Sequence, residues 1–211
     1  MAGMQEKKGE DRRGLFLVVD GVDGCGKTSQ ATLLCESLGV PPTLHLREPG
    51  STALGEGLRS LLLDPAQRIE PASEVLMFAA ARRQMLEELV APALDGGQDV
   101  VCERFHPSTF AYQAVAGELD DEQVLTLLRT WAGSPRPDLV LLLELDVAEA
   151  ARRRGDATDR IEAKGLGYQR RVAEGYRRYA ELDPSAVLID GGGSVEQVHA
   201  RILAEVERVR N

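Results

Sequence analysis

The sequence predicts an α/β fold, a parallel sheet covered by helices, in one domain. Three observations predict it. Short apolar runs alternate with longer helical patterns, which is the pattern of repeated βαβ units. The runs are nearly continuous in apolar character, as strands covered on both faces are. The length of 211 residues suits a single domain of this kind.

Residues 15–20 read as the first strand, followed by a glycine-rich turn and a helix over 27–38. Residues 43–47 form a weaker second strand after the turn signal Gly39-Val-Pro-Pro42. Helical patterns follow over 52–63 and 71–94, and Gly96-Gly97 then opens a third strand over 99–103. Two more helices, 107–116 and 121–132, lead through Pro135-Arg-Pro137 to the clearest strand, 139–145. After helices over 147–154 and 165–182, a short fifth strand over 186–189 is closed by Gly191-Gly-Gly193. The final helix, 194–210, places Val195, Val198, Ile202, Val206 and Val209 on one face by spacings of three and four. Residues 1–14 are polar and read as a flexible N-terminal extension before a single domain over 15–211. Residues 152–167 are rich in Arg, Asp and Gly and read as a mobile loop of the kind that serves as a lid.

Composition narrows the function. Basic residues number 25 against 34 acidic ones, a net charge of −9 that repels a nucleic-acid backbone. Aromatic residues are only 4%, too few for a surface that stacks on bases. The three cysteines, Cys25, Cys35 and Cys102, have neither metal-ligand spacing nor an even disulfide count. No apolar run approaches the roughly 18 residues of a membrane span. A cytoplasmic protein without nucleic-acid or membrane partners is the expectation.

Gly21-Val-Asp-Gly-Cys-Gly-Lys27-Thr28 matches the phosphate-binding loop GxxxxGK[ST], after the first strand and opening the first helix. By average composition the pattern arises by chance in roughly 1% of chains of this length, and the strand-loop-helix context lowers that further. Its glycines let successive backbone N–H groups turn toward one anion, and the helix start adds its positive end. Lys27 is placed for the β/γ-phosphates and Thr28 for Mg²⁺, so residues 21–28 are the candidate ATP phosphate site: Gly21, Val22, Asp23, Gly24, Cys25, Gly26, Lys27 and Thr28. Cys25 is read either as a thiol activated by the helix start or as a small packing residue. A guanine-reading Asn-Lys-x-Asp element is excluded, because the sole Asn is Asn211.

Further motifs stand in order: Arg47-Glu-Pro-Gly-Ser-Thr52, Leu76-Met-Phe-Ala-Ala-Ala-Arg82, Glu103-Arg104-Phe-His-Pro-Ser108-Thr-Phe-Ala-Tyr-Gln113 and Asp159-Arg160-Ile-Glu162. With the phosphate loop, these resemble the motifs of bacterial thymidylate kinases over about 15–179. The resemblance implies a P-loop NTPase of the adenylate-kinase-like, three-layer type, with a five-stranded parallel sheet in order 2-3-1-4-5 and a small lid. It implies transfer of the ATP γ-phosphoryl group to dTMP with Mg²⁺, giving dTDP for dTTP synthesis, by a homodimer. Asp23 then takes the carboxylate that accepts from the acceptor's 3′-hydroxyl, Phe78 the ring stacked on thymine, Arg82 the group reading O4, and Arg104 the acceptor phosphate. Glu48, Pro49, Ser108, Tyr112 and Gln113 complete the implied dTMP site. The P-loop carries no basic residue at Val22, Asp23 or Cys25, so the chain resembles the type whose catalytic arginine lies in the lid. Arg154 is the first candidate, then Arg152 and Arg160, beside Lys27 and Arg104. Adenine contacts are expected near the lid and around residues 191–194.

Without the resemblance, Phe78 also fits a core position, Arg82 a solvated helix face, Glu48 an ordinary turn, and Arg152 to Arg154 a charged helix end. His106 carries no motif weight and reads as structural. Two departures from the family pattern stand out: Glu103 where Asp is usual, and one extra residue between Gly155 and Asp159. Glu103 is expected to organise Mg²⁺ through water. It is also the residue a deoxynucleoside kinase would use as base for a sugar hydroxyl, which is the alternative enzyme. A non-enzymatic nucleotide switch is the alternative outside enzymes.

Overall fold

A computed structural model describes residues 13–39, 41–155, 161 and 164–210. Among these, the strands are β1 (Phe16–Gly21), β2 (Leu44–Arg47), β3 (Val100–Glu103), β4 (Leu139–Glu144) and β5 (Ala186–Asp190). They pair in parallel in the order β2-β3-β1-β4-β5, the order that the resemblance implies. Every residue of β1 and all but the last of β4 are buried, which accounts for their unbroken apolar character. The edge strands β2 and β5 are half open and read more weakly.

The helices are α1 (Lys27–Leu38), α2 (Ala53–Leu63), α3 (starting as Pro71–Met85), α4 (starting as His106–Thr109), α5 (Asp121–Trp131), α6 (Val147–Arg154), α7 (Gly165–Leu182) and α8 (Val195–Arg210). Polar side chains start them where the sequence supplies caps: Thr52 accepts from the Gly55 N–H, Asp120 from Gln123, and Asp146 from Ala148 and Glu149. The long third helix is one rod with a wider π turn, Leu86–Val90, before its last turn, Ala91–Asp95. Pro92 explains the widening. It has no N–H for a bond to residue 88, and its ring would clash with that carbonyl, so the chain bonds the Ala91 N–H to Leu86 O instead. The fourth helix also widens, over Phe110–Val115, the turn that carries Tyr112 and Gln113.

The expected extension over 1–14 is shorter at its C-terminal end. Gly14 donates its N–H to Leu94 O at 3.0 Å, and Arg13 pairs with Asp138 at 3.1 Å, so both belong to the domain. Residues 1–12 lie outside the described residues. So does most of the expected lid: 156–160, with Arg160, and 162–163. Of the described parts of 152–167, residues 152–154 are the last turn of α6 and 165–167 the first of α7, while Gly155, Ile161 and Lys164 lie outside both helices.

The sheet positions the site simply. β1, β2 and β3 all end on one side, and the segments leaving them carry the phosphate loop, the Glu48-Pro49 turn and the stretch from Arg104 to Ser108. This is the crevice beyond the carboxyl ends of a parallel sheet.

Candidate active site

The phosphate loop closes on itself through Lys27. Its ammonium is buried and donates to the carbonyls of Gly21 and Val22, each at 2.9 Å, so the loop is bent around the side chain. Gly24 and Gly26 have φ of 88° and 98°, a region other residues seldom enter. Gly24 also packs directly on α6, where an added Cβ would lie 2.0 Å from Ala150 O. Cys25 is buried, and burial pushes its thiol up against the lowering effect of Lys27 and Arg104. It is therefore a packing residue, not an activated thiol.

Two carboxylates organise the next layer. Asp20, at the end of β1, is fully buried and saturated. It accepts from the N–H groups of Gly21, Phe105 and Ser108, from Ser108 Oγ at 2.8 Å and from Tyr176 Oη at 2.9 Å. It thus ties the segment after β3 to β1. Asp23 faces the cleft. Arg104 donates to one of its oxygens, Tyr112 Oη to the other at 2.7 Å, and Lys27 lies 3.6 Å away. Burial alone would raise the Asp23 carboxyl, but Arg104 and Lys27 outweigh it and hold it well below the usual carboxylate range. Arg104 itself stands at φ 67°, an unusual conformation for an arginine. It is locked there by its N–H to Val19 O at 3.1 Å and by its bonds to Asp23 and Ser108.

A pocket of about 270 Å³ opens beside this cluster. All nine residues of the implied acceptor site, Asp23, Glu48, Pro49, Phe78, Arg82, Arg104, Ser108, Tyr112 and Gln113, line it. Arg82, 1% exposed, pairs with Glu48 at 2.6 Å, donates to Thr109 Oγ1 at 3.1 Å and lies over the Phe105 ring. Burial raises the Glu48 carboxyl to about 7, with Arg82 opposing the rise. Gln113 donates to Glu74 at 3.0 Å. His106 is structural as read: it donates to Ala132 O at 2.8 Å, stacks on Phe105, and is pushed down to about 3 by burial and by Arg82.

A second, wider cleft of about 940 Å³ runs over the phosphate loop and meets the first at Asp23, Glu48, Arg59 and Arg104. Its far end is lined by Gly191, Gly193, Ser194 and Val195. Thr28 Oγ1 donates to Glu103 Oε2 at 2.6 Å within it. A hydroxyl that gives its proton to a carboxylate keeps its lone pairs for a cation. A hydroxyl and a carboxylate are the hard oxygen donors that Mg²⁺ prefers, so these residues fit that ion. Of the lid candidates, Arg154 lines the cleft, and its Nε is buried with no hydrogen-bond partner among the described residues. Arg152 does not line it. It is 77% exposed and ion-paired to Glu149 on the outer face of α6. Arg153, not singled out from the sequence, does line it and reaches Gly191 O at 3.5 Å.

The sequence profile of thymidylate kinases matches residues 19–202. A thymidylate kinase of Caldanaerobacter subterraneus subsp. tengcongensis is 39% identical over 199 residues, covering 92% of this chain and 96% of its own. One from Synechococcus sp. WH7803 is 42% identical over 205 residues, with the same coverage. The crystal structure of thymidylate kinase from Ehrlichia chaffeensis superposes with a TM-score of 0.74 at 28% identity, covering 92% of this chain and 99% of that one. The chain belongs to the thymidylate kinase family.

For a thymidylate kinase the deoxynucleoside kinase alternative is not favoured, and neither is the nucleotide switch. Motif reasoning gave no role to four further pocket residues, two of them outside every motif and two, Thr109 and Ile161, inside quoted ones. Arg59 and Leu63 on α2, Thr109 and Ile161 also line the smaller pocket. Arg59 donates to Pro49 O at 3.0 Å from a helix whose spacing signals only packing. Asp20 had a visible signal, a lone carboxylate ending an apolar strand.

Proposed function

We propose that this thymidylate kinase family member moves the ATP γ-phosphoryl group to dTMP at the junction of the two clefts. ATP lies along the phosphate loop, and dTMP sits in the 270 Å³ pocket. The observation that carries this reading is that junction: Asp23, Glu48, Arg59 and Arg104 line both cavities, so an acceptor phosphate and a donor phosphate meet there.

A nucleotide phosphate is already an anionic nucleophile at neutral pH, so the protein needs no strong base. One acceptor oxygen attacks the γ-phosphorus, a new P–O bond forms, and the bond to the β,γ-bridging oxygen breaks with its electron pair leaving on ADP. The chain positions the reactants and neutralises charge. Lys27 turns from its two carbonyls to the β/γ-phosphates. Arg104 holds the acceptor phosphate through a guanidinium that Asp23 and Ser108 have already oriented. Asp23, kept ionised, accepts from the sugar hydroxyl. Phe78 covers one face of the base, and Arg82 and Gln113 contact its edge. Arg154 is the lid cation we assign to the transferring group, with Arg152 set aside by its outward ion pair. Thr28, with Glu103 through water, would hold Mg²⁺, which supplies neutralisation of the phosphate charge when bound.

The same reading puts the enzyme in the cytoplasm, in keeping with three free cysteines, as one domain over 13–211 with a lid over the cleft. Among the described residues no helix is long and apolar enough to cross a membrane. It also makes the chain a homodimer. Leu54 and Leu61, two turns apart on α2, and Leu76 on α3 are about half exposed on neighbouring helices and suit a covering second copy.

Calorimetric titration of dTMP and thymidine tests the acceptor assignment. Arg104→Ala is expected to abolish the advantage of dTMP over thymidine while sparing thymidine itself. Equal loss for both ligands would remove Arg104 from the phosphate.

A further inference from the structure

Glu103 carries one methylene more than the aspartate usual at this place, and the structure grips the longer side chain from two sides. Thr28 Oγ1 donates to Oε2 at 2.6 Å, and His45 Nε2 meets Oε1 at 3.0 Å. A carboxylate oxygen accepts, so Nε2 is the protonated ring nitrogen in this contact. The strand register explains the reach. β2 and β3 run parallel with Arg47 opposite Glu103 and His45 opposite Val101. Residues two apart share a face, so His45 sits one step back from Glu103 on the same side of the sheet and extends along the strand to it.

The contact answers a physical problem. Glutamate has one more rotatable bond than aspartate and more freedom to lose when its carboxylate is fixed. The Glu103 side chain is 13% exposed, whereas His45 is 34% exposed and has no other side-chain hydrogen bond among the described residues. We infer that His45 is a positioning residue that pins the long carboxylate of Glu103 against Thr28, so that a glutamate does the metal-organising work at the edge of the phosphate loop. The inference rests on the reading of Thr28 and Glu103 as the Mg²⁺ site. It names a role for a side chain outside every motif in the sequence.

The test measures Mn²⁺ binding with ADP, from the loss of the free-ion electron paramagnetic resonance signal, and needs no turnover. His45→Ala should weaken binding about fivefold, the effect of losing one ordinary side-chain hydrogen bond. His45→Gln, whose amide N–H falls near the position of Nε2, should restore most of it. In a Glu103→Ala background, His45→Ala should cause no further loss. Full affinity in His45→Ala while Glu103→Ala weakens binding would overturn the role of His45 and leave the metal site standing. An equal loss in both backgrounds would also overturn it, because His45 would not be acting through Glu103. Unchanged binding in both Glu103→Ala and Thr28→Val would bring down the metal reading and this inference together.

Discussion

Arg82 and Glu48 form a buried ion pair: their charged atoms are 2.6 Å apart, and the side chains are 1% and 4% exposed. The pair joins α3 to the turn after β2 and lines the smaller pocket. Its parts carry both stability and recognition. Arg82→Ala leaves Glu48 buried without its cation, which is expected to cost about 3–5 kcal/mol in unfolding free energy. The same variant should raise the dTMP requirement far more than the ATP requirement. Urea unfolding and steady-state kinetics check the two effects separately, and equal changes in both Michaelis constants would mean that Arg82 does not face the acceptor.

Glu48 adds a dependence on pH. Burial lifts its carboxyl from about 4.5 to about 7 in the folded protein. A group raised by folding stabilises while protonated, so its contribution is complete below about pH 4.5 and is lost as pH rises through 7. The stability of the wild type relative to Glu48→Gln should therefore fall between pH 5 and pH 8. A difference that stays flat over that range would show the carboxyl titrating at its ordinary value.

Lys27 gives a third prediction. Lys27→Ala should lower turnover by about 100-fold or more, as expected when a preorganised charge on the transferring group is removed. Calorimetric dTMP binding should stay close to normal, because Lys27 lines the phosphate-loop cleft and not the smaller pocket. Near-normal turnover would take Lys27 away from the phosphates.

The strands and most helix limits were legible because β1 and β4 are covered on both faces and show it in unbroken apolar runs. The residues proposed for the acceptor were legible as ordered motifs, and all of them line one pocket. Three kinds of feature were not. The π turn before Pro92 depends on how a helix repairs one missing hydrogen bond, which periodicity does not encode. Arg59, Thr109 and His45 bond to partners 10, 27 and 58 residues away, which no local pattern shows. Arg152 and Arg154 are two residues apart on one helix, about 200° around its axis, so composition alone could not say which faces the cleft.

That rotation makes the two arginines separable. Arg154→Ala should lower kcat by about 100-fold, the scale of a lost transition-state donor. Arg152→Ala should stay near the wild type, since an exposed pair such as Arg152–Glu149 contributes little. Comparable losses in the two variants would overturn the assignment.

Gly24 tests the packing of the loop on α6. Gly24→Ala would drive a methyl group into Ala150 O, a backbone atom with no rotamer to yield. ATP binding should weaken by at least tenfold, with dTMP binding less affected. Unchanged ATP affinity in a titration would mean that the loop and α6 are not locked together.

The most direct measurement is ADP release by the purified protein with Mg-ATP, comparing dTMP, dUMP, dCMP, dGMP and thymidine as acceptors. Strong stimulation by dTMP with thymidine inert is the predicted result, since the proposed mechanism gives one phosphate to Arg104 and the other to the phosphate loop. Stimulation by thymidine without its phosphate would contradict the account and turn Glu103 into a base.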